Sequence, residues 1–470
     1  MKSTIRKPNF AICLVSAIAA LAGLLFGFDT GIISGALLFI QKSFTLTAGL
    51  KEIIVSSVLF GAMIGSLGSG YLTDTYGRRG IMLIIALMFI AGTLIASLAI
   101  NISMIILGRI FIGIAIGVGS YTAPLYIAEA APAEWRGGLV SLNQLAITIG
   151  IMSSYFINYA FINTETSWRL MFAIGIIPAV LLGIGMIFLP ESPRWLVKEG
   201  RSEQARKILV YLRGNQQVDH EIRSIENSLQ IRKAKLSELF APWIRNVLFL
   251  GIFLSFLQQV IGINAIIYYA PTIFQMAGFH DTSSSILATV GIGIVNVLST
   301  IFAIFYLDKI GRRPLLFSGL IGMGLSLFCL SLTFHYASLA PYLKWCSVAS
   351  TFIYIICFAF SLGALLWLMV SEIFPLELRG AAMGIAVFSC WFANFLVSST
   401  FLTLVNALGT ADTFLLYTIM CIVGLIISYF IVPETKNISL ERIEENIRKG
   451  LPLKQIGQPI AENIPEIEMP

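Results

Sequence analysis

Charge is what this chain has least of. Asp, Glu, Lys and Arg together make up 12 % of its 470 residues, against 57 % apolar residues. With a mean hydropathy of +0.86, too few charges remain to clothe a soluble domain, so that class is excluded. Histidine is nearly absent: His220, His280 and His335 fall in loops or near helix ends, where solvated or interfacial roles suffice. The cysteines, Cys13, Cys329, Cys346, Cys357, Cys390 and Cys421, are scattered through apolar segments without C-x-x-C spacing. They point to no metal site and say nothing of redox compartment. A glycine-rich phosphate loop and a nucleophile–base motif are both missing, which argues against an ATP-driven pump or an enzyme and implies no cofactor. The ten-residue alternating segments of a membrane barrel are missing too.

Long apolar stretches are what the chain has instead. Twelve of about 20 residues each begin near Phe10, Ile53, Ile81, Ser103, Leu139, Trp168, Val247, Ser284, Pro314, Lys344, Ala381 and Thr413, long enough to cross a hydrocarbon layer as helices. In lipid every backbone polar group must be satisfied internally, so helices rather than open strands are required. The fold class is therefore an all-α polytopic membrane protein with twelve transmembrane helices. Basic residues gather on alternate connections: the amino terminus, the Gly77–Gly80 turn, Arg136, residues 190–246, Lys309–Arg313, Arg379 and the tail. The other face holds only Lys42, Lys51, Arg169 and Lys344. By the positive-inside rule both termini and the central loop are expected in the cytoplasm. The net charge of +6 is then a topology signal, and nucleic acid has no place. The basic-then-apolar start mimics a signal peptide, but its apolar run is long and lacks a small-residue cleavage site. An uncleaved first helix is expected.

The chain also repeats itself. Asp74-Thr-Tyr-Gly-Arg78-Arg79 and Asp308-Lys-Ile-Gly-Arg312-Arg313 share D-x-x-G-R-R, each between two apolar segments. Glu129 precedes Arg136-Gly137 by seven residues, and Glu372 precedes Arg379-Gly380 by seven. Pro190-Glu191 and Pro433-Glu434 both begin 61 residues after those acids. Three registered pairs describe one membrane unit used twice, the plan of a transporter that rocks one half against the other. The expected units are a first half at 10–189, a linker of short amphipathic helices at 190–246, a second half at 247–432 and a tail at 433–470. Within the tail, 439–449 reads as one more short helix, and the Pro-rich acidic end from Pro452 as disordered.

Taken together, Asp74–Arg79, Pro190-Glu-Ser-Pro-Arg194, Gln258-Gln-Val-Ile-Gly-Ile-Asn264, Asp308–Arg313 and Pro433-Glu-Thr435 resemble the sugar porters of the major facilitator superfamily. The D-x-x-G-R-R turn marks only the superfamily, and the P-E-S-P-R and Q-Q-x-x-G-I-N motifs are more specific. The resemblance runs from Phe26 to Thr435. That family includes bacterial proton symporters for galactose, arabinose and xylose, and the animal glucose facilitators. It implies the major facilitator fold, a monomer embedded in a bilayer, and a multi-pass plasma-membrane location, here a bacterial inner membrane.

Sugar chemistry suits the residues themselves. Each hydroxyl is both donor and acceptor, and a side-chain amide offers both in return without burying an ion. Gln258, Gln259 and Asn264 lie in the seventh span, Gln144 in the fifth and Asn296 in the eighth. Helix-to-helix bonding is the other reading of such amides. Tyr268 follows Asn264 by one turn. By resemblance Trp367 matches a tryptophan lying over the sugar and Trp391 a second one lining the cavity, with packing or interfacial anchoring as alternatives.

Asp29 sits deep in the first span, where an ionised carboxylate is costly and needs a partner. Arg109 in the fourth span is its counter-ion. The resembling proton symporters carry Asp here, whereas passive glucose facilitators carry a neutral residue. The pair therefore argues for proton coupling over uniport; a permanent ion pair that orients helices is the alternative. Glu129 and Glu191 are weaker proton candidates. The basic pairs are expected to project into cytoplasmic water. By resemblance Asp74, Arg78, Arg79, Glu129, Arg136, Glu191, Asp308, Arg312, Arg313, Glu372, Arg379 and Glu434 are expected to form gating ion pairs between the halves, kept while the cytoplasmic side is closed and broken when it opens.

Two departures from the family pattern bear on the site. Ala364 follows Gly363 where the family has Pro, which removes the ring that breaks a helix. Cys390 precedes Trp391 where Asn or Gln is common, and a thiol is a poor partner for a hydroxyl. The reading is a proton-coupled monosaccharide importer with alternating access, for a hexose or a pentose. A facilitative uniporter of the same fold is the alternative, and a non-transporting sugar sensor a more distant one.

Overall fold

Short polar side chains start several of the long helices. Thr47, Asn101 and Asp281 each accept a backbone N–H three residues on, from Leu50, Met104 and Ser284, filling a donor that the first helical turn leaves unpaired. The computed structural model describes residues 10–458 apart from 133, 165–166, 214–217, 230–235, 376 and 437, and only the backbone at 228, 229, 236, 307, 308 and 337. Among the described residues twelve spans are long and apolar enough to cross a membrane. They are Phe10–Ser43, Ala48–Tyr76, Arg78–Ser97, Ile102–Ala130, Arg136–Ala160 and Ser167–Phe188, then Arg245–Met276, Thr282–Tyr306, Arg312–His335, Ser338–Ile373, Arg379–Leu408 and Thr410–Ile431. The second span begins five residues earlier than its hydropathy suggests, because Thr47 caps it and draws Lys51 and Glu52 into the helix.

Backbones within a half approach closely where glycine removes the side chain. A Cβ added at Gly27 of the first span would lie 1.8 Å from the Ile147 carbonyl oxygen of the fifth, a contact only glycine allows. Small residues serve membrane helices in this way because lipid supplies no hydrophobic drive between them. The halves meet through related pairs: the second span packs on the eleventh, the fifth on the eighth, and the first on the later part of the seventh.

Between the halves run the helices Pro193–Lys198, Ser202–Arg213 and Val218–Leu229. Leu196, Ala205, Leu209, Val218 and Ile222 bury one small core among them. A 3₁₀ turn at Leu236–Phe240 follows. The tail forms a helix at Leu440–Arg448 that packs on the end of the tenth span. A short 3₁₀ turn at Leu453–Gln455 lies within the segment read as disordered, and residues 459–470 fall outside the described ones. The linker, both D-x-x-G-R-R turns and the tail helix share one face of the bundle, the charged face.

Candidate functional site

Besides the sixth span, interrupted between Ala173 and Ile176, the seventh and tenth break, and the amide cluster sits where they do. The seventh runs as Arg245–Val260 and Ile263–Met276, with Gly262 between them at φ +94°. That left-handed turn suits glycine, and the Tyr417 ring already lies 3.1 Å from where a Cβ would stand. Tyr354 donates to the freed Ile261 carbonyl at 2.9 Å, as a backbone break inside a membrane requires. The tenth span breaks at Ser361, between Leu343–Phe360 and Leu362–Ile373. Ala364 therefore does not leave this helix straight. Ser361 turns the chain at φ −109°, ψ −107° while its hydroxyl donates to the Cys357 carbonyl at 2.5 Å.

Gln258, at 6 % exposure, donates to the Leu362 carbonyl at 2.9 Å, so one amide caps the second break from the first. Gln259 donates to the Gln258 Oε1 at 3.1 Å and to the Cys390 Sγ at 3.2 Å. Cys390 in turn donates to Gln258 at 3.4 Å. Asn264 donates to the Gln259 Oε1 at 2.6 Å. Asn264 is the half-buried member, and its own carbonyl is the free edge of a network otherwise turned on itself. One turn on, Tyr268 is buried close to Asn394 of the eleventh span and Thr30 of the first. Trp391 faces Phe26 across the halves, with ring centroids 5.3 Å apart. Trp367 is half-buried against the core. Gln144 is half-buried and Asn296 buried; among the described hydrogen bonds none ties either to the cluster.

Thr30 directly follows Asp29, which places the ion pair beside this cluster. Asp29 and Arg109 are both buried and meet through two parallel contacts of 3.4 Å. Those lengths mark a loosely held pair. Arg109 also reaches the Val55 carbonyl at 3.5 Å and lies over Phe172 at 5.9 Å, while its Nε is buried without a partner.

On the charged face the arginines of both repeated turns are bonded inside their own halves. Arg78 pairs with Glu129 through two 2.8 Å bonds, and Arg312 with Glu372 at 2.8 and 3.4 Å. Both pairs close inside one half rather than between halves. Each acid ends a span beside the arginine of its own half, and a two-pronged contact with a guanidinium occupies both carboxylate oxygens. Arg78 and Arg312 are buried, 5 % and 7 % exposed, rather than projecting into water. Asp74 adds 3.3 Å and 3.0 Å contacts to Arg78 and Lys198. Glu191 accepts the Arg78 and Arg79 backbone N–H groups at 2.9 and 3.1 Å, and Glu434 those of Arg312 and Arg313 at 3.0 Å each. An acid at a helix amino terminus fills its orphan donors and meets its dipole. Arg79 donates to the Met186 and Ile187 carbonyls, and Arg313 to that of Tyr429. Arg136 is exposed, and Arg379 donates to the Phe374 carbonyl. The Asp308 side chain lies outside the described residues.

Sequence reading missed Glu52, which is buried in the second span and bonded to Thr403. A carboxylate just inside an apolar helix is a signal in itself, but starting that span at Ile53 hides it.

Residues 15–447 match the family described as "Sugar (and other) transporter". The chain belongs to that family. It is 45 % identical to a putative metabolite transport protein of Bacillus subtilis, over 91 % of this chain and 93 % of that one. It is 42 % identical to the galactose–proton symporter of Escherichia coli, over 96 % of each. Among solved structures, the inward open conformation of the E. coli xylose transporter covers 92 % of this chain and 99 % of its own, at 33 % identity and a TM-score of 0.82. This member of the sugar transporter family is thus a multi-pass membrane protein of the major facilitator fold.

Proposed function

We propose that this sugar transporter family member imports a monosaccharide together with a proton, by alternating access, as a monomer in a bacterial inner membrane. The observation that carries the reading is the adjacency of a buried ion pair and an amide cluster. Tyr268 lies close to Thr30 and to the Asp29–Arg109 pair, and stands one turn from Asn264. The galactose–proton symporter relative supports the same substrate class. Basic residues crowd the charged face, so the positive-inside rule assigns that face and both termini to the cytoplasm.

In this reading Gln258, Gln259 and Asn264 take sugar hydroxyls, with Trp391 and Trp367 against the ring's C–H face. Gln144 and Asn296 have no described bond to the cluster, so any share in binding falls to them only on closure. Neutralising Asp29 by a proton releases Arg109, and the change passes through Thr30 and Tyr268 to the helix that holds the sugar. The units 10–189 and 247–432 rock about the bound ligand, with 190–246 and 433–470 on the cytoplasmic side. Asp74, Arg78, Arg79, Glu129, Glu191, Arg312, Arg313, Glu372 and Glu434 brace each half internally, so that each moves as one body.

Uptake of labelled hexoses and pentoses into deficient cells, with and without an uncoupler, tests this. One sugar should accumulate above its outside concentration and lose that gradient when the uncoupler is added. Equilibration untouched by the uncoupler would make the chain a uniporter. A chain that moves no sugar of the panel would overturn the reading. For the brace, Arg78→Gln or Arg312→Gln should slow turnover roughly tenfold, a shift that a gap of a few kcal/mol between states permits, with sugar affinity unchanged. Loss of binding in detergent by a folded variant would place these residues in the site instead.

A further inference from the structure

Glu52 occupies the fifth position of the second span, at the face opposite the charged one, and is 3 % exposed. Both of its carboxylate oxygens are bonded to the other half. Oε1 accepts the backbone N–H of Thr403 at 2.7 Å, and Oε2 accepts the Thr403 hydroxyl, also at 2.7 Å. Among the described ion pairs none supplies Glu52 with a base. Two donors of the eleventh span therefore compensate its charge, and short bonds to an ionised acceptor are the strong kind.

Nothing in the sugar cluster or the Asp29–Arg109 pair touches this contact. It joins the second span to the eleventh near their ends, where the halves are packed together. Nearer the centre, Tyr155 of the fifth span donates to the Ile267 carbonyl at 3.1 Å, which gives the same side a second tie. Separating the two spans would strip Glu52 of both donors at once. A conformational equilibrium responds only to contacts that differ between its states, and this contact exists only while that face is closed.

We propose that Glu52 and Thr403 form a clasp between the halves that holds the face opposite the charged one shut. Glu52 is then a positioning residue for the transport cycle, setting how long the protein stays open at the charged face. The clasp draws its role from the alternating-access reading, but its test requires neither sugar nor proton gradient. The two can therefore fail separately.

The test is hydrogen exchange by mass spectrometry on the full chain in nanodiscs, comparing wild type with Glu52→Gln, Glu52→Ala and Thr403→Val. A glutamine can still accept the Thr403 N–H and can donate its NH₂ to the Thr403 hydroxyl, so Glu52→Gln keeps the volume but turns two charge-assisted bonds into weaker neutral ones. Exchange should rise roughly tenfold, the factor that matches turning two bonds to a charged acceptor into neutral ones, in residues 48–58 and 398–408. Thr403→Val keeps the backbone donor and should give a smaller rise in the same segments. Combined with Glu52→Ala it should add nothing, since the partner is already gone. Unchanged exchange in those segments in Glu52→Gln overturns the clasp. So does a rise spread evenly over all spans, which marks general loosening rather than one opened face. Should Glu52→Ala fail to fold, Glu52→Gln and Thr403→Val still decide the matter.

Discussion

Asp29→Asn is expected to abolish uphill sugar accumulation in energised vesicles while leaving counterflow exchange measurable. The amide has nearly the shape of the carboxylate but can neither hold the charge nor take up the proton. Coupling is lost, while sugar-driven exchange needs only the amide cluster and the rocking motion. The variant also leaves Arg109, 0 % exposed, without its counter-ion. Removing one partner of a buried pair costs about 3–5 kcal/mol, so part of the protein should be lost to misfolding. Adding Arg109→Gln should restore its amount without restoring accumulation. That split separates a proton-carrying Asp29 from one that merely orients helices. Concentration of sugar by Asp29→Asn at the wild-type rate would sink the coupling role.

Gln259→Ala is expected to weaken sugar binding by about 5- to 150-fold. Its amide is the hub of the cluster, bonded to Gln258, Cys390 and Asn264. Deleting it strands a donor on Asn264 and leaves the Gln258 Oε1 with only the weak Cys390 thiol, and a buried group left unpaired costs about 1–3 kcal/mol. Asn264→Ala should act similarly, because its half-buried amide is the free edge a hydroxyl would meet. Cys390→Ala should cost much less. Its thiol makes two bonds of 3.2 and 3.4 Å, but sulfur is a weak donor and acceptor. Ligand-titrated tryptophan fluorescence, with Trp367 as the expected reporter, measures all three variants. Equal affinities across wild type and the amide variants would return those residues to helix packing.

Much of this architecture was legible because membrane helices obey local rules. A span needs about 20 apolar residues wherever it falls, and the hydropathy starts lie within six residues of the structural ones. The repeated Gly of D-x-x-G-R-R likewise stands for a backbone need: Gly77 and Gly311 both turn at positive φ, +80° and +109°. What local rules could not say is which partner a polar group would find. Glu129 and Glu372 were placed as acids near arginines, but their pairing within each half depends on how neighbouring spans end. The break at Ser361 was hidden because the sequence advertised it only by a missing proline. Gln144, Gln258, Gln259 and Asn296 are the same kind of intramembrane amide in the sequence, and only packing brought Gln258 and Gln259 together with Cys390.

The amino-acid sequence by itself determined the membrane class, the twelve spans, the two-copy plan and the residue types suited to a polyol and a proton. Each of these rests on composition, periodicity or spacing, quantities carried within one helix or one repeat. Only the tertiary structure decided that the arginines are bonded within each half, that Asp29 stands near Tyr268 and the amide cluster, and that Glu52 holds Thr403 across the halves. Those are contacts between residues far apart in the chain, and a buried polar group takes its partner from whatever the packed helices bring within hydrogen-bonding reach.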